Sequence, residues 1–366
     1  MIWNVTKFTI SGSSRIAREV KIESAQNFPG HGRRPEFAFV LQPEFPMNAF
    51  VLATEALRIA NQNSGQDLFG WTIVSEDGEA VRASNGMWVH ASHRLSDFPR
   101  CDYLVLLEGN LPTQNISPAM LAALRNAYRH GSMIVSADTG AFAVAAAGLV
   151  GERELVLHWE AAPSYLEHYP GAATRNRIFL IDRQLAFCAG GVAMLDLMLE
   201  LIGTLRGMVL AREVANALIH SPREGTHPQR TDDDVSDKAR SSLSRRIVSL
   251  MEENLDFPVP PKALARQLGI SVRTLERHCT RQFNQTPAQL YMRVRLQAAR
   301  SLLFYDERDI KDIALACGFS YPSVFTRAFS AQFGQSPRAF RLSFRNKQAN
   351  TLRPEIIRLS QSMQEG

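Results

Sequence analysis

Two sets of residues in this chain have types and spacings suited to chemistry. The first is built around Arg277 and Arg327, which occupy matching places in two similar segments that also carry Ser, Thr and Glu residues. A guanidinium can grip guanine N7 and O6 through two bonds, Ser and Thr hydroxyls can bond bases or phosphates, and a Glu carboxylate can accept from cytosine N4. Such a set suits the reading of double-stranded DNA, although paired arginines serve equally to hold phosphate or to brace a fold. The second set is Asp138-Thr139, directly after a short apolar run, together with His158-Trp159-Glu160. Carboxylates beside an indole suit a cationic amine, which an aromatic face attracts by roughly 0.5–2 kcal/mol. The same residues have ordinary uses, Trp159 as core, His158 as a structural histidine and the carboxylates as helix caps, and the residue types alone leave both open.

The elements that must position the first set repeat along the chain. Leu264-Ala265, Gly269 and Ser271 recur as Ile313-Ala314, Gly318 and Ser320, and after one inserted residue Arg277, Phe283 and Pro287 recur as Arg327, Phe333 and Pro337. In each copy a small Ala allows close helix approach, Gly permits the positive φ that ends the first helix, and Ser can cap the second. This is the chemistry of a helix-turn-helix unit, present twice. Leu275 and Phe325 then face the core, freeing the opposite face for a major groove. Arg266, Arg281, Arg293, Arg295 and Lys311 are expected as backbone-positioning charges or ordinary surface.

Charge follows the same division. Residues 240–366 hold 20 Lys and Arg against 10 Asp and Glu, whereas residues 1–239 hold 21 against 26. A basic module joined to a mildly acidic one suggests that one end meets a polyanion.

The second set sits in a different kind of sequence. Short apolar runs at Phe37–Leu41, Trp71–Val74, Tyr103–Leu107, Met133–Val135 and Ile178–Ile181 alternate with helix-like stretches at Phe50–Ala60, Pro118–Tyr128 and Ala141–Ala147. That alternation predicts an α/β fold, a doubly wound, mostly parallel sheet with helices on both faces. Val192–Leu205 and Met208–Ile219 read as two further helices. In such sheets ligands bind in crevices outside the carboxyl ends of strands, so Phe45 and Asn110, on loops after strands, join the candidate pocket. The expected boundaries are a flexible extension over 1–33, the α/β domain over 34–220, a polar linker over 221–240, an all-α domain over 241–345 and a polar tail over 346–366.

With 366 residues, 45% hydrophobic and 21% charged, the chain has material for two cores and is unlike a disordered one. Its four cysteines, Cys101, Cys188, Cys279 and Cys317, are widely spaced, which fits neither a zinc ribbon nor a disulfide framework and suits a reducing cytoplasm. No apolar run is long enough to span a bilayer, and the first residues lack the apolar core of a signal peptide. No metal and no cofactor is expected.

The residues also resemble known families. The segment from about Ser244 to Phe344 is similar to the AraC/XylS DNA-binding domain, including Ile313-Ala314, Cys317-Gly318-Phe319, Phe325, Arg327, Phe329, Phe333-Gly334 and Pro337. That resemblance implies two helix-turn-helix units joined by a long helix, here Pro287 to about Phe304, entering successive major grooves, with Arg273, Thr274, Glu276 and Arg277 on the first recognition helix and Pro322, Ser323, Thr326 and Arg327 on the second. Residues 36–205 resemble the PfpI-type, glutamine-amidotransferase-like fold, through the strand-to-helix elbow at Asp138, Ala147-Gly148-Leu149 and His158-Trp159-Glu160. The whole chain looks like the GlxA-type branch that fuses the two. Enzymes of the PfpI superfamily carry a nucleophilic cysteine at the elbow and an early acidic residue. Here those positions hold Asp138 and Ala49, and aspartate lacks a thiolate's nucleophilicity.

The expectation is therefore a DNA-binding regulator and not an enzyme. The resemblance further implies activation of catabolic genes, a homodimer formed through the first domain, RNA polymerase as a further partner, and a small effector of the arginine, carnitine or glycine betaine class. Two other readings compete: a PfpI-like hydrolase or amidase with a DNA-binding appendage, and a constitutive DNA-binding dimer without a ligand.

Overall fold

In the computed structural model, residues 33–109, 112–229 and 238–349 are described, so nearly all of the expected extension, part of the linker and most of the tail lie outside the described residues. The first unit opens with β1 (Glu36–Leu41), α1 (Met47–Ser64) and β2 (Gly70–Ser75), followed by the short β3 (Val81–Arg82), β4 (Trp88–Val89) and β5 (His93–Arg94). It continues through β6 (Tyr103–Glu108), α2 (Pro112–Asn115), α3 (Pro118–Arg129), β7 (Met133–Asp138) and α4 (Ala141–Ala146). It closes with β8 (Glu154–Leu155), α5 (Ala162–His168), β9 (Ala173–Thr174), β10 (Phe179–Asp182), β11 (Leu185–Cys188), α6 (Ala193–Arg206) and α7 (Met208–Ala217).

Seven strands form one sheet in the order β10-β11-β7-β6-β1-β2-β5, and only the β10/β11 pair is antiparallel. The central strands β1, β6 and β7 are buried almost throughout, which is why their apolar runs show no alternation. α1, α6 and α7 pack together as one helical layer, and α3 and α4 as another.

Several elements differ from the sequence expectation. β11 and α5 are too short to show a period, at four and seven residues. The second late helix stops at Ala217 rather than Ile219, because Ile219 takes a positive φ of 51°.

The second unit is all helical: α8 (Lys238–Glu252), α9 (Pro261–Leu268), α10 (Val272–Phe283), α11 (Pro287–Tyr305), α12 (Ile310–Ala316), α13 (Pro322–Phe333) and α14 (Pro337–Ala349). It has two apolar cores, one around Leu264, Ala265, Leu275 and Cys279 and the other around Ile313, Ala314, Phe325 and Phe329. α11 contributes to both, with Leu290 in the first and Leu302 in the second. No helix among the described residues is long and apolar enough to cross a membrane.

Candidate functional site

The helical unit presents two helix-turn-helix faces of similar build. Gly269 ends α9 at φ 70°, Ser271 Oγ accepts from the Thr274 N–H at 3.1 Å, and α10 follows. Leu275 and Cys279 turn inward, while Arg273, Glu276 and Arg277 are exposed and Thr274 is half-buried with its hydroxyl 2.8 Å from Ser271 Oγ. α11 then starts with a full capping box between Thr286 and Gln289.

In the second copy Gly318 has φ 74°, and α13 buries Phe325 and Phe329. Pro322, Ser323 and Arg327 are exposed, and Thr326 donates back to the Pro322 carbonyl at 2.9 Å. Here the expected cap fails. Tyr321 takes the N-cap place and Ser320 caps nothing, because Pro322 occupies the first turn of the helix and removes one of the N–H groups that need a partner. Tyr321 and Val324, both exposed at the head of α13, were not anticipated.

Arg295 is also not the surface charge expected of it. Its Nε and Nη2 donate to the carbonyls of Cys317 and Gly318 at 2.7 and 2.6 Å, so it closes the end of α12. Arg266, Arg281, Arg293 and Lys311 are exposed.

The α/β unit holds a cleft of about 390 Å³ beyond the carboxyl ends of its strands. Asp138 reaches it from the end of β7 and His158 and Trp159 from the loop before α5, opposite Asn48 and the Gly190-Gly191 turn before α6. Asp138 sits at φ 60°, the strained backbone of a strand-to-helix elbow, and its carbonyl accepts from the His158 N–H at 3.2 Å. A Cβ at Gly190 would stand 3.1 Å from the Asp138 Cβ, so that crossing needs glycine.

The charges here are poorly solvated. Burial, then the Glu160 carboxylate, pushes the Asp138 carboxyl up to about 7. Burial lowers the His158 pKa despite an opposing pull from Glu160. Next to Asp138 in register lies Glu108, wholly buried, its two oxygens unpartnered, its pKa raised well above normal by burial and then by Asp138.

Of the other expected pocket residues, Thr139 lies behind the cleft, where its hydroxyl donates to the Gly109 carbonyl at 2.6 Å and ties the elbow to β6. Phe45 is core, its ring edge-on to Phe50 at 5.9 Å. Glu160 is half-buried on the same turn as His158 and acts on the cleft through its charge. Asn110 falls outside the described residues.

Two residues of the cleft wall come from the segment expected to be linker. Arg223 Nε and Nη2 clamp the buried Asp196 carboxylate at 3.0 and 2.6 Å, and His220 Nε2 lies 2.7 Å from the same carboxylate. Gln229 Oε1 accepts from the Trp159 N–H at 2.9 Å while its Nε2 donates to the carbonyls of Leu157 and Arg177 at 2.9 Å each. All four cysteines are buried and free, and none stands at the elbow. No group of three metal-ligating side chains occurs among the described residues.

Comparison with known proteins adds to this geometry. A helix-turn-helix domain family matches residues 264–343. The HTH-type transcriptional regulator CdhR of Pseudomonas aeruginosa is 34% identical over 306 residues, 82% of this chain and 90% of that protein. The HTH-type transcriptional regulator GlxA of Rhizobium meliloti is 32% identical over 83% of this chain and 94% of its own length. Among solved structures, an AraC family transcriptional regulator from Pseudomonas putida is 28% identical with a TM-score of 0.47, covering 50% of this chain and 99% of that one.

Proposed function

Because this chain belongs to the AraC/XylS family of helix-turn-helix transcriptional regulators, in the GlxA-type branch that joins a PfpI-like domain to the DNA-binding domain, we propose that it activates catabolic genes in response to a small amine or amino-acid-like metabolite. The effector sits in the cleft at Asp138. There, a side chain that cannot replace a thiolate occupies the elbow, and Asp138, His158 and Trp159 line a space large enough for a small metabolite. That arrangement is the observation that carries the proposal. It favours binding without bond cleavage, since nothing at the elbow supplies an activated nucleophile.

The residues supporting recognition are the Asp138 carboxyl, which a bound cation would favour in its ionised form, the Glu160 carboxylate behind it, and the Trp159 indole, a combination that favours an ammonium or guanidinium centre. On the DNA side, Arg273, Thr274, Glu276 and Arg277 read one major groove and Pro322, Ser323, Thr326 and Arg327 the next. The protein acts as a homodimer held through the α/β unit and works together with RNA polymerase. Effector binding favours one arrangement of the two units over another.

The test is thermal unfolding of the full chain against a panel of amino acids and quaternary amines, including arginine, carnitine and glycine betaine. A ligand at 100 times its Kd adds about 2.7 kcal/mol of stability, and the gain disappears in Trp159→Ala. A flat response across the panel contradicts the effector and leaves a constitutive DNA-binding protein.

A further inference from the structure

The helix joining the two helix-turn-helix units ends inside the other domain. Tyr305, the last residue of α11, is 6% exposed and belongs to the core of the α/β unit, not to either helical core. Phe304 beside it touches both. Ser164 Oγ donates to the Tyr305 carbonyl at 3.5 Å. Asp306, also buried, lies 3.9 Å from His168 Nδ1. Arg308 completes the contact, with Nε on Asp306 Oδ2 and Nη1 on Glu167 Oε2, both at 2.9 Å. Ser164, Glu167 and His168 all belong to α5.

α5 is a continuation of the cleft. The Ala161 N–H donates to the His158 carbonyl at 2.9 Å and the Ala162 N–H to the Trp159 carbonyl at 3.4 Å, so the first turn of the helix hangs on two residues of the cleft wall. Burial raises the Tyr305 phenol well above its ordinary pKa, and Asp138 followed by Glu160 adds to the rise, which puts the ring within electrostatic reach of the cleft's carboxylates.

We propose that α5 and the Tyr305–Arg308 segment form a latch through which occupancy of the cleft sets the placement of the helix-turn-helix pair, and that the latched arrangement opposes DNA binding. This rests on the effector site proposed above, but the latch itself is a contact within the chain. Its sign follows from charge. Glu167 lines a groove with Asp256 of the helical unit and with Gly318, Phe319 and Ser320 of the turn that leads into α13, and so adds a second carboxylate to the groove before the second helix-turn-helix unit's last helix. Phosphates approaching there meet repulsion, and Arg308, which could have met them, is held by two carboxylates. A ligand that moves the turn at His158–Glu160 tilts α5 and loosens the seat of Tyr305. By linkage, DNA must act back on the same contact.

That reciprocity gives a test needing no metabolite. Hydrogen exchange is followed by mass spectrometry on the full chain, with and without a saturating random-sequence duplex long enough to span two major grooves. The expected result is exchange several-fold faster over residues 158–168 and 302–308 when DNA is bound, with α3 unchanged. Tyr305→Ala is expected to show that fast exchange without DNA and to bind the duplex several-fold more tightly. Should Tyr305→Ala fail to fold, Glu167→Gln, half-exposed and outside both cores, gives the same readout over residues 302–308. Exchange over 158–168 that stays constant or slows as the duplex saturates overturns the latch. A flat metabolite panel leaves this test standing, whereas a responsive panel with no exchange change removes the latch alone.

Discussion

The Arg295 guanidinium lies 4.1 Å from the centroid of the Phe319 ring while bonding the two carbonyls just before it. A cation stacked on the ring and forked onto a helix end fixes the turn that aims α13. Its pKa is lowered, chiefly by burial, consistent with a charge that belongs to the interior. Arg295→Ala should therefore cost about 2–4 kcal/mol in urea unfolding, since two charge-assisted bonds and a packed stem are lost together. Arg295→Lys should not restore it, because an ammonium cannot present the fork. DNA affinity should fall at least as far as folding does, because the turn that aims α13 loosens with it.

The two turn glycines make a sharper pair. Both adopt left-handed backbone, so an alanine at either costs about 1–2 kcal/mol of conformational strain. A Cβ on Gly269 meets open space, whereas one on Gly318 would stand 2.4 Å from the Leu255 carbonyl oxygen and 2.7 Å from Pro258 Cγ. Gly318→Ala should destabilise clearly more than Gly269→Ala, and equal losses in thermal unfolding would contradict the packing described here.

Recognition predicts a different pattern. Arg277→Ala and Arg327→Ala alter exposed side chains, so stability should change little. Affinity for a cognate site should drop by roughly 1–3 kcal/mol if the side chain reads a base, with random DNA less affected. Equal loss on both kinds of DNA assigns the arginine to phosphate, and no loss on either removes it from the interface.

Asp138 predicts a pH dependence. Its carboxyl titrates near 7 in the folded chain against an ordinary value of 3.8, so the native state binds the extra proton between those values. Stability contributed by that proton is complete below the unfolded value and is lost as pH rises towards 7. Asp138→Asn should flatten this slope and stabilise the protein more at pH 8 than at pH 5. A variant with the wild-type pH profile would show that the proton resides elsewhere, with Glu108 the next carboxyl to replace.

Much of this was legible in the sequence, for physical reasons that also mark where legibility stops. The helix-turn-helix pair announced itself because Ala265 and Ala314, Gly269 and Gly318 and the inward Leu275 and Phe325 answer local demands of packing and backbone, repeated twice. The central strands were legible because β1, β6 and β7 are buried on both faces. The elbow was visible as a strand running into a helix. What escaped was set by tertiary contact: Arg223 and Gln229 look like linker polar residues until Asp196 and the Trp159 N–H are brought to them. Arg295 resembles any surface arginine until α12 ends beneath it. Ser320 matches Ser271 in the repeat, but the inserted Tyr321 and the Pro322 after it change which residue starts the helix.

The central claim, a regulator whose paired units read successive grooves, is tested most directly by hydroxyl-radical footprinting of the full chain on its own upstream DNA. Two protected clusters on one face of the duplex, one helical turn or about 10–10.5 bp apart, are expected, with Arg327→Ala erasing one and Arg277→Ala the other. A single cluster, or protection that neither substitution alters, would contradict it.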